Sequence, residues 1–313
     1  MSNCLCSTAF CQACDNAKFL GAAEEYMHAI YLQNPDKMRT PIMRLLYTVK
    51  MIFNVSTYFN NSVRISSLLV KITNQIIISC KTYITAGNRV TIWNQDRAEV
   101  EKKLHECIEL NEYYIFAYNK IKDGDDARVG LVFDFSKKYI FGKFDQFCHR
   151  LKNLLSMFNQ IGVFTELFHN RMEALLSEES VEEDKRNFEA LVNILKLREY
   201  NFLDYRNNKF DIDFVDFNRK IDNLTEKVRA KLESTYDDIW DTPHSFQYLA
   251  RFEKLSKALP IGSMDTKYKR MIATFKSEME RVARLFKRQQ KRSPIPRNYP
   301  TTSGKIVIIY KCT

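Results

Sequence analysis

The feature that most constrains this chain is a long stretch without proline. All seven prolines fall near its two ends, at positions 35, 41, 243, 260, 294, 296 and 300, so about two hundred consecutive residues between Pro41 and Pro243 contain none. Glycine is also rare, with 8 in 313 residues. Proline and glycine are the residues that most strongly interrupt a helix. With 45% hydrophobic residues and few of these breakers, the chain favours long helices over a turn-rich β-fold.

Apolar residues within this stretch and beyond it recur every three or four positions. That spacing places them on one face of an α-helix. The clearest stripes are Phe144, Phe147, Leu151, Leu154, Phe158 and Ile161; Phe214, Phe217, Ile221, Leu224, Val228 and Leu232; and Met271, Phe275, Met279, Val282 and Phe286. We therefore predict an all-α fold, an elongated array of antiparallel helical bundles with seven or more helices.

Capping signals predict where several of these helices begin and end. Thr40 and Thr242 each precede a proline, and Asp96 and Ser180 each lie three residues before a glutamate, as in a capping box. Gly87 follows an apolar stripe and predicts a helix end. These signals agree with the boundaries that the apolar stripes indicate.

The formal charge of +10 is concentrated at the C-terminal end. Residues 263–313 contain 13 Lys and Arg against three acidic residues, so the rest of the chain sums to zero. Within that end, residues 281–292 contain six Lys and Arg and no acid. Such a helix can bind nucleic acid, an anionic membrane or an acidic protein groove. A solvated helix face with an apolar seam is the preferred interpretation, since no nucleic-acid-binding motif accompanies the charge.

Targeting signals and cysteine usage both predict a soluble, intracellular chain. Residues 1–23 have no basic leader before an apolar run, and no apolar run approaches the roughly 18 to 20 residues that span a bilayer. The eight cysteines are then expected to be thiols. Cys80, Cys107 and Cys148 lie within helical apolar patterns, and we predict that they pack as small hydrophobic side chains.

Four further cysteines near the N-terminus, Cys4, Cys6, Cys11 and Cys14, raise the hypothesis of a metal-dependent enzyme. Thiolates at such spacing can hold zinc, but paired CxxC motifs normally lie a dozen or more residues apart, and only one CxxC is present here. We therefore predict no metal site and an unstructured or loosely helical end.

The segment FDFSKKYIFGKFDQFCHRL, residues 133–151, contains a second candidate site, because Asp145 and His149 lie one helical turn apart. Without a nucleophile, a third polar group or a metal, such a pair is usually a surface helix contact. No phosphate-binding motif such as GxxxxGK[ST] or GxGxxG occurs either. We predict no catalytic residue, no cofactor-binding residue and no cofactor. Phe133 and Phe135 are predicted to anchor the linker before a bundle helix.

The order of five segments is itself recognisable. They are YTVKMIFNVSTYFNNSVRISSLLVKITNQIIISCKTYIT (47–85), IWNQDRAEVEKKLHECIELNEYYIFAYNKIK (92–122), FDFSKKYIFGKFDQFCHRLKNLLSMF (133–158), LREYNFLDYRNNKFDIDFVDF (197–217) and SPIPRNYPTTSGKI (293–306). Together they resemble the N-terminal tail region of axonemal dynein heavy chains, closest to the outer-arm types. The resemblance covers residues 40–306.

The resemblance implies a function without catalysis. In that family the region is a stalk of helical bundles that binds intermediate and light chains, neighbouring heavy chains and axonemal docking factors. The ATPase ring lies far downstream. The implied location is the cytoskeleton of the ciliary axoneme, with no small-molecule substrate and no membrane. The alternative is a stand-alone basic helical protein that binds nucleic acid or an anionic membrane through residues 281–292.

The resemblance also divides the chain into three parts. Residues 1–39 are unassigned, residues 40–292 are the tail bundles, and residues 293–313 are a proline-rich connector with an aberrant end. Family members continue differently after this connector, so the ending VIIYKCT is interpreted as the mark of a fragment or truncated gene model. Residues 306–310, with the sequence IVIIY, are predicted to form a strand.

Overall fold

The computed structural model describes residues 2–32, 34–87, 91–124, 132–170, 178–239, 241–256 and 265–290. These residues form nine α-helices and one 3-10 helix, with no strand among them. The helices are α1 (Ser2–Leu32), α2 (Arg39–Val55), α3 (Ser62–Ile84), α4 (Arg97–Lys122), α5 (Lys137–Asn170), α6 (Glu178–Lys196), α7 (Lys209–Asp237), α8 (Thr242–Ser256) and α9 (Asp265–Gln290), and the 3-10 helix is Ile92–Asn94. The all-α prediction is confirmed for the described part of the chain.

The helices belong to two compact units. The first comprises residues 1–161 and 191–218, and the second comprises residues 162–190 and 219–313. Helices α5, α6 and α7 each contribute residues to both units.

The core of the first unit is rich in fully buried aromatic rings. Helix α1 packs on α2 and α3, and α4 packs on α2 and α3. Tyr114 and Tyr118 of α4 make edge-to-face contacts with the ring of Phe141 on α5, with centroids 5.0 and 5.3 Å apart. Such aromatic pairs contribute about 0.5–1.5 kcal/mol each beyond the area that they bury. The predicted stripe on α5 is confirmed, because Phe144 and Phe147 are fully buried in this core.

The linker before α5 is anchored as the sequence predicts. Phe133 and Phe135 are buried, and their rings lie 5.8 and 5.3 Å from the ring of Phe53 on α2. The backbone N–H of Phe135 donates a hydrogen bond of 2.9 Å to the hydroxyl of Tyr118. The segment therefore folds against α2 and α4 through both ring contacts and a buried hydrogen bond.

The second unit has its own aromatic cluster. Phe164 and Phe168 of α5 lie 5.6 and 5.7 Å from Phe188 of α6, measured between ring centroids. On α7 the stripe predicted from the sequence continues as buried Val228 and Leu232. Helix α8 packs on α9.

Helix boundaries match the capping signals only in part. Asp96 caps α4, because its carboxylate accepts a 3.1 Å hydrogen bond from the N–H of Glu99. Thr242 is predicted as the cap of α8, but it is the first residue of that helix, and its hydroxyl bonds Glu278 instead. The prediction for Thr40 is wrong, since α2 begins at Arg39 with no side-chain cap. The prediction for Ser180 is also wrong, because α6 begins at Glu178. At both sites the helix extends upstream past the predicted cap, so the capping pattern alone does not fix the boundary.

The predicted stop after α3 is confirmed. Gly87 has φ +77°, in the left-handed region that favours glycine, and its N–H donates a 2.8 Å hydrogen bond to the carbonyl of Thr82. This bond satisfies a carbonyl that the end of the helix would otherwise leave open.

Helix α3 corrects one expectation about apolar runs. By length and composition alone it is apolar enough to cross a membrane, which the sequence expectation had excluded for every run. However, 56% of its most apolar window is buried inside the protein, and it packs against α1 and α4. Its buried residues include the polar Thr73 and Gln75. These contacts are those of a core helix in the first unit.

Several predictions fall on residues outside the described part of the chain. These are the strand at residues 306–310, the proline-rich connector and aberrant end at residues 293–313, and the last two residues of the basic segment 281–292. The elongated, antiparallel arrangement of bundles stays a prediction.

Candidate protein-interaction surfaces

The apolar stripe of α9 is exposed, unlike the buried stripes of α5 and α7. It follows the same spacing as the stripes on α5 and α7, yet none of the 26 residues of α9, all of which the structure describes, is buried. Of the stripe residues, Phe275, Met279 and Phe286 are 51%, 55% and 63% exposed, and Ile272, which lies on the same face, is 60% exposed. At about 100° per residue, these four side chains lie within roughly 60° of one another around the helix axis. We call them the α9 seam.

The first turns of α9 are fixed to α7 by polar contacts in the second unit. The hydroxyl of Tyr236 donates a 2.9 Å hydrogen bond to the carbonyl of Lys267, and the ammonium of Lys267 lies 3.3 Å from the carboxylate of Glu233. Arg270 forms an ion pair with Asp237. These contacts hold the helix in place through its backbone and its polar edge.

A fourth contact links α9 to the start of α8. The hydroxyl of Thr242 donates a 2.6 Å hydrogen bond to the carboxylate of Glu278. Thr242, which the sequence predicts as a helix cap, thus bonds a side chain of another helix. Because this contact and those to α7 use other side chains, the α9 seam stays exposed.

Helix α9 is also strongly basic. It contains eight Lys and Arg against three acidic residues. Arg281, Arg284, Lys287 and Arg288, which belong to the basic segment predicted from the sequence, are all exposed. The helix therefore combines exposed apolar surface with a positive field, a pairing that favours an acidic partner.

A second candidate surface is a cleft of about 720 Å³ between α5 and the start of α7, within the first unit. Asp145, His149 and Arg150 line one wall, and Asp211 and Val215 line the other. The cleft thus contains Asp145 and His149, the candidate pair of the segment 133–151.

Within this cleft, the hydrogen bonds of Arg150 are made to other parts of the protein. Its guanidinium is 2% exposed and donates to the carbonyls of Phe202 and Asp204 at 3.3 and 3.0 Å. It also donates to the carbonyl of Asn207 at 3.0 Å and to the carboxylate of Asp211 at 2.9 Å. With four acceptors around one guanidinium, Arg150 has little capacity left for a ligand.

The network explains how the connector between α6 and α7 is held. Three of the four acceptors are backbone carbonyls of residues 202–207, which form no helix. The guanidinium also lies 4.4 Å from the centroid of the Phe210 ring. Sequence reasoning missed this role, although Arg150 stands directly beside the buried stripe at Leu151, where a charged side chain has to find partners within the protein.

Asp145 and His149 both lie on the open side of the cleft, and both are exposed. The carboxylate of Asp145 accepts a 3.1 Å hydrogen bond from the side-chain amide of Asn111 on α4. The hydrogen-bond partner of Asp145 therefore lies on a neighbouring helix. That Asp145 and His149 have no catalytic role stays a prediction.

The cysteines separate into two groups. Cys80, Cys107 and Cys148 are buried, as predicted for small hydrophobic side chains. A hydrogen bond to Cys80, together with burial, raises the pKa of the Cys107 thiol, and burial raises the pKa of the Cys148 thiol. Both therefore stay protonated, and a protonated thiol is a poor nucleophile and a poor metal ligand.

The N-terminal cysteines lie within α1, so of the two expected forms of this end, unstructured or loosely helical, the structure shows a helix. Cys14 is exposed, whereas the side chains of Cys4, Cys6 and Cys11 lie outside the described residues. Among the residues that the structure describes, no group of three or more His, Cys, Asp or Glu side chains is placed to hold a metal ion.

Comparison with known proteins identifies what this arrangement is similar to. The family model described as dynein heavy chain, N-terminal region 1, matches residues 6–312. Dynein axonemal heavy chain 5 of Mus musculus is 31% identical over 300 residues, which are 95% of this chain and 6% of that protein. Dynein axonemal heavy chain 8 of Homo sapiens is 30% identical over 296 residues, or 94% of this chain and 6% of that protein.

A flagellar relative gives a similar alignment. The dynein gamma chain of the flagellar outer arm of Chlamydomonas reinhardtii is 26% identical over 296 residues, again 94% of this chain and 6% of the relative. The chain thus spans about 6% of the length of these relatives. The family match also reaches further towards both ends than the resemblance over residues 40–306.

Proposed function

Because this chain belongs to the dynein heavy chain family and matches its N-terminal region along nearly its whole length, we propose that it is a non-catalytic tail scaffold. In this role it binds dynein intermediate and light chains, contacts other heavy chains, and docks the motor on the axoneme for microtubule-based movement.

Family membership also bears on location and chemistry. Similarity to axonemal heavy chains implies a cytoskeletal location in the axoneme of a cilium or flagellum. The matched region is the N-terminal tail and not the motor, and no catalytic domain is indicated.

The observation that carries the proposal is the exposed apolar seam of α9. Large apolar side chains that an otherwise well-packed fold leaves in solvent are typical of a surface that a partner covers. Protein interfaces combine an apolar centre with a polar rim, and α9 has both, since the seam is accompanied by eight Lys and Arg.

The cleft beside α5 supports the same function. One wall contains Asp145, His149 and the hydrogen-bonded Arg150, and the other contains Val215, which is 67% exposed. Mixed polar and apolar walls suit contact with a protein surface. Catalysis would need a nucleophile and a base that is oriented by a third group.

We extend the proposal to the organisation of the chain. Residues 40–292 form the tail bundles that offer these surfaces, and residues 293–313 form a connector. Residues 1–39 precede the bundles, and α1 within them packs on α2 and α3.

The competing function is a stand-alone basic binder of nucleic acid or anionic membrane. It draws on the exposed cations Arg281, Arg284 and Arg288. Binding of this kind is dominated by counterion release, so its affinity falls steeply with salt. Binding through an apolar seam depends much less on salt.

The test is recovery of an identified arm subunit by the full 313-residue chain. The chain is immobilised and incubated with a high-salt axonemal extract dialysed to about 0.15 M salt, the physiological range. Bound material is probed with an antibody against dynein intermediate chain. The proposal predicts that intermediate chain or another outer-arm subunit is retained.

The matched control is Leu232→Asp, which keeps the basic end of the chain but places a charge in the core of the second unit, where Leu232 is 0% exposed. Recovery should be lost with this variant. Equal recovery by both chains, or capture of RNA or lipid with no arm subunit, would contradict the scaffold function.

A further inference from the structure

We infer that the α9 seam is one half of a two-helix coiled-coil contact, and that its partner is an acidic amphipathic helix of another protein subunit. The inference rests on the proposed scaffold function and deepens it, because it assigns a surface and a chemistry to one of the contacts.

The first argument is spacing. Ile272, Phe275, Met279, Val282 and Phe286 follow one another at intervals of 3, 4, 3 and 4 residues. This is the a and d spacing of a heptad repeat, and it forms a narrow seam that a second helix covers through knobs-into-holes packing. Over these positions the helix rises about 21 Å, enough for a partner of two heptads.

The second argument is that the described residues of this chain leave the seam largely uncovered. Phe275 and Phe286 are 51% and 63% exposed, although the same helix is fixed to α7 and α8 by its polar edge. Lys267 and Arg270, which contact α7, lie on the side of α9 away from the seam, whereas Glu278, which contacts Thr242, lies at one edge of the seam. A partner helix can approach without displacing any of them.

The third argument is charge at the edges of the seam. With Ile272 taken as an a position, Lys269 and Lys276 fall at e positions, and both are exposed. Residues at e positions meet g positions of the partner and set partner choice through ion pairs. The opposite edge holds Glu278, which already bonds Thr242. Carboxylates at the partner's g positions would therefore meet the lysine edge.

The same charge disfavours a second copy of this chain as the occupant. Eight Lys and Arg against three acidic residues give α9 a net charge of +5, so pairing two copies of α9 would bring two helices of the same net charge together. Nucleic acid would meet the cations but leave the apolar seam in solvent. Only a helix that is both apolar and acidic matches the two features at once.

The probe is a synthetic 28-residue peptide with Leu at the a and d positions and Glu at the e and g positions, labelled with fluorescein. Binding to the full 313-residue chain is followed by fluorescence anisotropy at about 0.15 M salt. A peptide of the same composition with the heptad order scrambled controls for charge alone. We expect the patterned peptide to bind at least about tenfold more tightly than the scrambled one, because only the patterned peptide presents its leucines to the seam.

The test variant is Phe275→Ser with Phe286→Ser, and the matched control is Tyr47→Ser with Met51→Ser, two exposed apolar residues on α2 in the first unit. The seam variant should weaken the patterned peptide about tenfold or more, and the control should leave it unchanged. Because all four side chains are exposed, circular dichroism should report the same helix content for every chain. Equal affinity for both peptides, no effect of the seam variant, or a chain that self-associates until the seam is removed would each overturn the inference.

The same variants separate this inference from the proposed function. Intermediate chain recovered equally by the wild-type chain and the seam variant would leave the scaffold function standing and remove α9 as its surface. Specific binding of the patterned peptide, with no arm subunit recovered from axonemal extract, would support the surface and contradict the scaffold function.

Discussion

At the scale of single residues, Arg150 holds an irregular segment in place, because its one buried guanidinium donates hydrogen bonds to three backbone carbonyls of the connector between α6 and α7. Buried carbonyls need partners, and an irregular segment cannot supply them from its own backbone. The arginine takes the place of the hydrogen bonds that a helix would have made.

Replacing this guanidinium should be costly. Arg150→Met keeps the length of the side chain but leaves the connector carbonyls and Asp211 without their donor, so we expect the free energy of unfolding to fall by about 3 kcal/mol or more. Arg198→Met is the control, because Arg198 is 46% exposed and has a single ion pair with Asp213. Its cost should stay under about 1 kcal/mol. Urea unfolding followed by circular dichroism measures both, and equal small losses would contradict the role assigned to Arg150.

At the scale of helices, two similar capping signals can be compared, Asp96 at the start of α4 and Thr40 near the start of α2. Asp96→Ala removes the carboxylate that accepts from the N–H of Glu99, and we expect a loss of about 1 kcal/mol. Thr40→Ala changes a residue with a similar sequence signal but within α2, where no side chain caps the first turn. That substitution should change stability by less than about 0.5 kcal/mol. The urea midpoints of the two variants decide the matter, and a larger loss for Thr40→Ala would show that α2 depends on this hydroxyl.

The apolar faces of the helices show both where prediction from the sequence was correct and where it was incomplete. Apolar spacing predicted the buried faces of α5 and α7, because a continuous 3 and 4 spacing fixes one face of a helix. The same spacing on α9 predicted a further stripe, yet Phe275 and Phe286 are exposed. Periodicity reports that a helix has an apolar face, but not whether this chain or another covers it.

The role of Arg150 could not have been predicted in the same way. It depends on a connector more than fifty residues away along the chain that folds back onto α5. Local patterns carry no information about such distant pairs. The absence of catalysis was instead argued from missing residue combinations around Asp145 and His149, and it stays a prediction that binding and activity assays can test.

At the scale of the whole molecule, buried tyrosines in both units predict the response to alkaline pH. Burial raises the pKa of the Tyr114 hydroxyl in the first unit and of the Tyr248 hydroxyl in the second, above the ordinary value near 10. The folded state therefore keeps protons on these two hydroxyls that the unfolded state releases. The stability that the two protonated hydroxyls contribute is fully present below about pH 10 and is lost as the pH rises further.

This loss should appear as cooperative unfolding above about pH 10, with part of the tyrosinate absorbance rising together with the loss of helix. Tyr114→Phe removes one of these ionisations and should flatten the pH dependence of the urea midpoint above that value. If all 16 tyrosines titrated near pH 10 while the helix content stayed constant, the assigned burial would be wrong.

The central claim concerns the whole molecule in its cell, namely that this chain is a tail scaffold of an axonemal dynein. The most direct measurement is the sedimentation of the native protein, extracted with high salt from isolated axonemes and separated on a sucrose gradient. Antibodies against this chain and against dynein intermediate chain are used on every fraction. The account predicts that the two proteins peak together, well ahead of the position of a free 37.0 kDa chain. A peak at the free position, with intermediate chain elsewhere on the gradient, would contradict it.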